Sequence, residues 1–316
     1  MASIDAVYTW VDGAWPGYDA LLRRSAADRH DLNPNRYRDN LDILKFNLRS
    51  VERHAPWIHR VFLVTCRPQV PAWLDTTSVR VVHHDEFMPA DHLPTFNSFA
   101  IVANLHRIPD LSRQVVYVED DRLFGARVEP EDLFDGKGQP RVFLTSRGTR
   151  GPADQDDQRL SPWNRAVAYS NRLLNERYGA KRRRMVSHAP VSIDLDSWRA
   201  MIETWPEAFQ RTSASRFRAS ANVAPEYLYP HFLLEENRGA PAPRPYVRRY
   251  AAYHPVNNIY LFQLVALARL RWQRPKFFCL NDDFGEQPNP RVVALVKREL
   301  ERWFPTPSRF ERFRVR

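Results

Sequence analysis

Glycine is sparse in this chain, with 10 residues in 316, whereas proline reaches 25. That balance excludes flexible Gly-rich linkers and points to stiff connections. The only cysteines are Cys66 and Cys279. Two cysteines build neither a disulfide framework nor a zinc ribbon, and a reducing compartment is the simplest reading. Lysine is scarce: Lys45, Lys137, Lys181, Lys276 and Lys297 are the only ones among 47 basic residues. No apolar run approaches the roughly 20 residues that span a bilayer. The stretch from Met1 to Gly13 lacks a basic segment followed by an apolar one, so no signal peptide is expected. A Gly-rich phosphate loop ending in Lys-Ser/Thr, a Gly-x-Ser-x-Gly elbow and a His-Glu-x-x-His helix are all missing. Their absence disfavours a P-loop kinase, a serine hydrolase and a zincin. The basic runs also lack the regular aromatic interleaving of a nucleic-acid module, so no nucleic-acid partner is expected.

What is present can build a core: 43% of residues are hydrophobic and 12% aromatic. The length fits one large α/β domain or two smaller ones. The net charge of +10 is carried by arginine, whose fork grips phosphate and carboxylate bidentately. An acidic partner therefore fits, although a biased genome would leave the same composition. Residues 6–11 read as a buried strand closed by the turn pair Asp12-Gly13. After Asp39-Asn40, the spacing of Leu41, Leu44, Leu48 and Val51 predicts a helix. Strands are expected at 61–65 and 79–83. A helix after Pro94 follows, carrying Ile101, Val102, Leu105 and Ile108 on one face and capped by Thr95 or Asn97. This alternation predicts a mostly parallel sheet with covering helices. Residues 136–161 read as a long loop, with helices expected at 163–178, 197–209, 225–235 and 255–270, and an amphipathic basic helix from Arg291.

The most informative stretch runs from Val115 to Asp121, an apolar β-branched run ending in Glu119, Asp120 and Asp121. Clustered carboxylates at a buried strand end repel one another and resist desolvation. A divalent metal would relieve that cost, and open α/β sheets receive ligands at strand carboxyl ends. A polar turn with an aspartate paired to Arg122 is the structural alternative. A second apolar run, from Phe277, ends alike in Asn281, Asp282 and Asp283. Together the two ends could offer hard oxygens to Mg²⁺ or Mn²⁺. His188 precedes Ala189-Pro190, which holds the chain extended, and a histidine beside a metal–phosphate centre can serve as base. Arg218 can clamp a phosphate. For His83-His84-Asp85-Glu86, adjacent side chains point to opposite faces of a strand, which favours a structural role.

Several blocks resemble the Stealth family. They are Ile4 to Gly13; Arg36 to Asn40 with Leu48 to Trp57; Leu93 to Ser98, His106 to Pro109 and Tyr117 to Gly125; His188-Ala189-Pro190 with Arg218; and Cys279 to Asp283. The resemblance implies one catalytic domain over 1–316: an α/β nucleotide-binding part to 135, a loop and helix over 136–187, and a helical part from 188 that completes the site. The implied fold is Rossmann-like, resembling GT-A nucleotide-sugar transferases. The implied reaction, in capsule or exopolysaccharide synthesis, moves a sugar 1-phosphate from a UDP-sugar such as UDP-N-acetylglucosamine to a hydroxyl of an acceptor glycan, releasing UMP. By the same resemblance Asp120, Asp121 and Asp282 hold Mg²⁺ or Mn²⁺, while His188, Arg218 and Asp121 are catalytic. Trp10, Asp12, Gly13, Asp39, Asn40, Asn97, Ser98 and Asn281 bind the donor. Two positions depart from the family pattern: Glu119 stands where Asn is usual, and Val102 where Glu is common.

A metal-dependent GT-A glycosyltransferase and a non-catalytic binder of acidic polymer are the competing expectations. A cytoplasmic location is expected, at the inner face of the membrane if the basic tail (Arg309, Phe310, Arg312, Phe313, Arg314, Arg316) touches anionic lipid. A solvated terminus accounts for that tail more simply.

Overall fold

The computed structural model describes residues 3–26, 32 and 37–312. The chain opens with β1 (Ile4–Thr9), α1 (Tyr18–Ser25), α2 (Ile43–His54), β2 (Val61–Thr65), β3 (Arg80–His83) and α3 (Ser98–Ala103). There follow β4 (Gln114–Glu119), β5 (Arg122–Phe124), α4 (Pro130–Leu133), β6 (Arg141–Val142), β7 (Leu144–Gly148) and α5 (Pro162–Tyr178). Next come β8 (Arg184–Val186), β9 (Val191–Asp194), α6 (Leu195–Thr204), α7 (Pro206–Ala214) and α8 (Pro225–Glu235). Last are β10 (Ala240–Pro241), α9 (Arg244–Tyr250), β11 (Ala251–Val256), α10 (Tyr260–Gln273), β12 (Phe277–Asp282) and α11 (Pro290–Trp303).

The central sheet has the order β3-β2-β1-β4-β9. Its first four strands are parallel, and β9 is antiparallel to β4. This is an α/β fold with a Rossmann-like strand order, as expected. Strands buried on both faces read as near-continuous apolar runs, and β1, β2 and β4 do so apart from buried Asp5, which Arg60 and the Ser112 amide bind, and buried Thr65. Val7, Phe62, Val115 and Tyr117 pack on one side with residues of α3, α5, α6 and α8. Ala6, Tyr8, Leu63, Val116 and Val118 pack on the other with Leu44, Leu48 and Val51 of α2. The strand order turns back between β1 and β4, and a crevice opens there at the carboxyl ends. A second sheet, β11-β12-β5, lies alongside, with β12 antiparallel to β5.

Several elements differ from expectation. The first strand is shifted to Ile4–Thr9, and the helix after Pro94 stops at Ala103 before a 3-10 turn at Leu105–Arg107. Asn97 is its cap, its side chain accepting from the Phe99 amide. Residues 136–161 are not a bare loop, because Leu144–Gly148 pairs with Arg184–Val186. That exposed polar strand carries no apolar signal. The helix expected at 197–209 is two helices, broken at Trp205 because Pro206 cannot continue the first. The region 255–270 begins in β11, and the helix starts only at Tyr260. The stretch from 188 is therefore not simply helical: it supplies β9 to the central sheet and two strands to the second.

The described part of the tail, as far as Arg312, is held against the body of the fold. Phe310 is buried in the core, the Arg309 amide donates to Glu52, and Arg312 donates to the Leu74 carbonyl. Phe313, Arg314 and Arg316 lie outside the described residues, as does Arg36. Among the described residues no helix is long and apolar enough to cross a membrane.

Candidate active site

At the switch point lies a cavity of about 870 Å³. Asp120, Asp121, His188, Arg218 and Asp282 all line it, with Trp10, Asp39, Asn40, Ser98 and Asn281. Residues scattered from 10 to 282 thus meet in one space. Three of the donor-binding expectations fall elsewhere. Asp12 and Gly13 form a turn off the cavity wall, the Asp12 amide donating to Gln69 Oε1 at 2.8 Å. Gly13 is required because a Cβ would sit 2.7 Å from the Tyr37 carbonyl oxygen. Asn97 is wholly buried and donates to the carbonyls of Ser215 and Phe217 and to Asn222 Oδ1. Its role is to hold the segment that presents Arg218.

The acidic corner is held from below and from the side. Asn47 of α2 donates to the carbonyls of Glu119 and Asp120 at 3.2 and 3.0 Å. The Leu280 amide donates to the Asp121 carbonyl at 2.9 Å, and Cys279 Sγ donates to Asp121 Oδ2 at 3.2 Å. Asp121 Oδ1 is buried with no partner. Burial, with Asp121 and Asp39 nearby, pushes Asp120 well above the ordinary carboxylate range. Burial and Glu119 push Asp121 up to about 6. Two adjacent carboxyls that resist ionisation, one with an orphaned oxygen, fit a hard divalent cation. Mg²⁺ commonly takes one or two carboxylates and completes its shell from substrate phosphates and water. Among the described residues no group of three or more His, Cys, Asp or Glu side chains is arranged to hold a metal ion, so the protein would contribute the two carboxylates and no further such ligand.

Asp282 has other work. Both its oxygens accept from Arg38, at 2.9 and 2.8 Å, and Asn40 Nδ2 lies 3.5 Å away. It anchors a guanidinium at the cavity wall rather than standing ready beside Asp121. Trp10 Nε1 donates to Asp39 Oδ2 at 3.1 Å, while Asp39 Oδ1 accepts from the Ile43 amide at the start of α2.

Beside the acidic corner, cations mix with a second acidic pair. Arg122, buried, binds Glu119 at 2.5 Å and the Ala189 carbonyl at 3.0 Å. Burial alone would raise Glu119, but Arg122 and a hydrogen bond with Glu226 hold it low. Burial, with ionised Glu119 beside it, pushes Glu226 up to about 8. Arg218 donates to Ser98 Oγ at 3.2 and 2.5 Å and lies 4.8 Å from the Phe99 ring centre. His188 packs against Tyr253 with ring centres 4.4 Å apart and planes tilted by 31°. Burial and nearby Arg122 hold its imidazole neutral, down to about 4. Nothing in the sequence singles out Glu226 or Tyr253, whereas Arg38 lies in the Arg36–Asn40 block with no role assigned to it. Arg122 was legible as the neighbour of the acids, and its carboxylate partner proves to be Glu119.

This combination defines an α/β protein whose strand-end cavity sets paired carboxylates against arginines, an arrangement suited to a diphosphate. Conserved region 2 of the Stealth protein family matches residues 36–142, conserved region 3 matches 187–235 and conserved region 4 matches 268–314. The chain belongs to the Stealth family. An exopolysaccharide phosphotransferase of Streptomyces coelicolor is 34% identical, over 98% of this chain and 52% of that protein. One from Nocardia farcinica is 34% identical, over 98% and 61%. CpsY of Mycobacterium leprae is 34% identical, over 98% and 57%. The chain thus spans between about half and three fifths of these relatives. Among solved structures, galactosyltransferase LgtC in complex with donor and acceptor sugar analogs aligns with a TM-score of 0.42 and 13% identity, over 96% of each chain.

Proposed function

We propose that the protein transfers a sugar 1-phosphate from a UDP-sugar to a hydroxyl of an acceptor glycan in exopolysaccharide or capsule synthesis. The observation that carries this reading is the meeting of Asp120, Asp121, His188 and Arg218 in one cavity at the switch point. The relatives are named exopolysaccharide phosphotransferases, which supports it.

The acceptor oxygen attacks the phosphorus nearer the sugar. The bond from that phosphorus to the bridging oxygen breaks, and UMP leaves with that oxygen. Such transfer rests on positioning and charge neutralisation more than on covalent help. Asp120 and Asp121 would hold Mg²⁺ or Mn²⁺. When bound, the cation neutralises charge on the diphosphate oxygens. Arg218, kept in place by Ser98, stabilises the transferring phosphoryl group. His188 is neutral and so able to accept the acceptor proton. An anionic donor beside it raises its proton affinity at the moment that is useful. Arg38, pinned by Asp282, faces the donor, with Trp10 and Asp39 at the uridine side.

The test is incubation of the full chain with a panel of UDP-sugars, an acceptor oligosaccharide and Mg²⁺. Release of UMP with a new phosphodiester in the ³¹P spectrum is expected. Release of UDP with a plain glycosidic product would overturn the reading in favour of glycosyl transfer.

A further inference from the structure

Among the described residues, the large apolar side chains left exposed are confined to residues 253–272. Ile259, Leu261, Val265 and Trp272 are 62, 72, 68 and 83% exposed. On α10, Leu261, Val265 and Trp272 recur at i, i+4 and i+11, which places them on one stripe. Phe262 and Leu264 flank it, while Gln263, Leu267 and Leu270 face inward. An apolar face of this extent marks an interaction site.

Its charge identifies the occupant. From Asn237 to Asn281 the sequence has no Asp or Glu, but it has seven arginines and Lys276. Arg269 and Arg271 lie on either side of the stripe, and Arg274 follows the helix. Arg249 of α9 donates to the Gln273 carbonyl, which brings exposed Arg248 and Arg249 to the same end. Glu299 binds Arg271 at 3.0 Å, and at the other end of the helix Asn258 donates to the Phe284 and Gln287 carbonyls, in the segment that carries Asp283 and Glu286. A second copy pairing through this stripe would meet arginines with a helix that has no acid. An apolar stripe with Trp, Phe and Leu, rimmed by arginine, matches the interfacial region of an anionic bilayer. The site is adjacent: β11 carries Tyr253 to the cavity and His254 to α10, where Phe262 stacks on it at 5.9 Å.

We propose that the protein docks on an anionic membrane through the exposed face of α10, with the cavity held beside the lipid surface. The proposal does not use the basic tail, whose Phe310 is buried. The inference does not depend on the phosphotransferase reading, because vesicle binding is measured without turnover.

The experiment is flotation of the full chain with vesicles of neutral phosphatidylcholine, alone or mixed with phosphatidylglycerol. Two variants are compared with wild type: the triple variant Leu261→Asn, Val265→Asn, Trp272→Ala, and the double variant Arg269→Gln, Arg274→Gln. Unchanged circular dichroism and melting establish that each variant folds. Binding to the anionic vesicles is expected, weakened by salt. It should fall at least about tenfold in the triple variant and severalfold in the double variant. Absence of vesicle binding by wild type overturns the proposal, as does equal binding to neutral vesicles. Light scattering showing a dimer that the triple variant dissolves, without vesicle binding, would reassign the face to self-association.

Discussion

At the scale of single residues, the site is governed by which buried groups carry charge. Asp121→Asn keeps the shape of the corner but removes the charge, and kcat for UMP release should fall about 10²-fold or more with the fold intact. Arg218→Lys loses the fork that spans Ser98 and the phosphoryl oxygens, and a loss of about 10²-fold in kcat is expected in the same assay. Glu226 allows a separate test on stability. Its pKa in the folded chain, about 8, lies above the ordinary 4.5. The stability associated with its proton is therefore complete below 4.5 and is lost as the pH rises through about 8. In metal-free buffer Glu226→Gln should melt with wild type near pH 4.5 and above it at pH 8.5, by about 2–4 °C in calorimetry. A variant that is never more stable than wild type on the alkaline side would remove the assignment. Asp120 and Asp121 were legible as the acids that end an apolar run, and His188 and Arg218 chiefly because the order of blocks along the chain resembles a family. Glu226 was not, because a carboxylate two residues into a helix after Pro225 looks like an ordinary first-turn acid.

At the scale of elements, buried amides hold the site. Asn97 satisfies three acceptors and caps α3. Asn97→Ala leaves buried carbonyls without a donor, which costs about 1–3 kcal/mol. The urea midpoint should drop accordingly. Because the freed segment ends at Arg218, kcat should fall with it while Ser98 remains in place. Unchanged kcat at lowered stability would confine Asn97 to packing. The elements the sequence displayed well were those with both faces covered: apolar runs mark residues 6–8 of β1, 61–64 of β2, 115–118 of β4 and 277–280 of β12. Those it hid have a wet face. The exposed pair β7–β8 is polar, and β11 joins α10 in a single apolar stretch in which strand and helix periods blur.

At the scale of the molecule, early and late parts of the chain share one core. Val191 and Ile193 of β9 pair with Tyr117 and Val115, and α5, α6 and α8 cover the face formed by Val7, Phe62 and Tyr117. A fragment of residues 1–135 would leave that face wet and the outer edge of β4 open. It should bind a hydrophobic dye and melt without cooperativity. A sharp calorimetric transition in the fragment would show that this part folds alone. The same wiring has a consequence during synthesis. Asp121 is gripped by Cys279, 158 positions later. A polypeptide still on the ribosome therefore carries loose acids until Leu280 has emerged, so the pocket matures last, after every strand of the central sheet has been made.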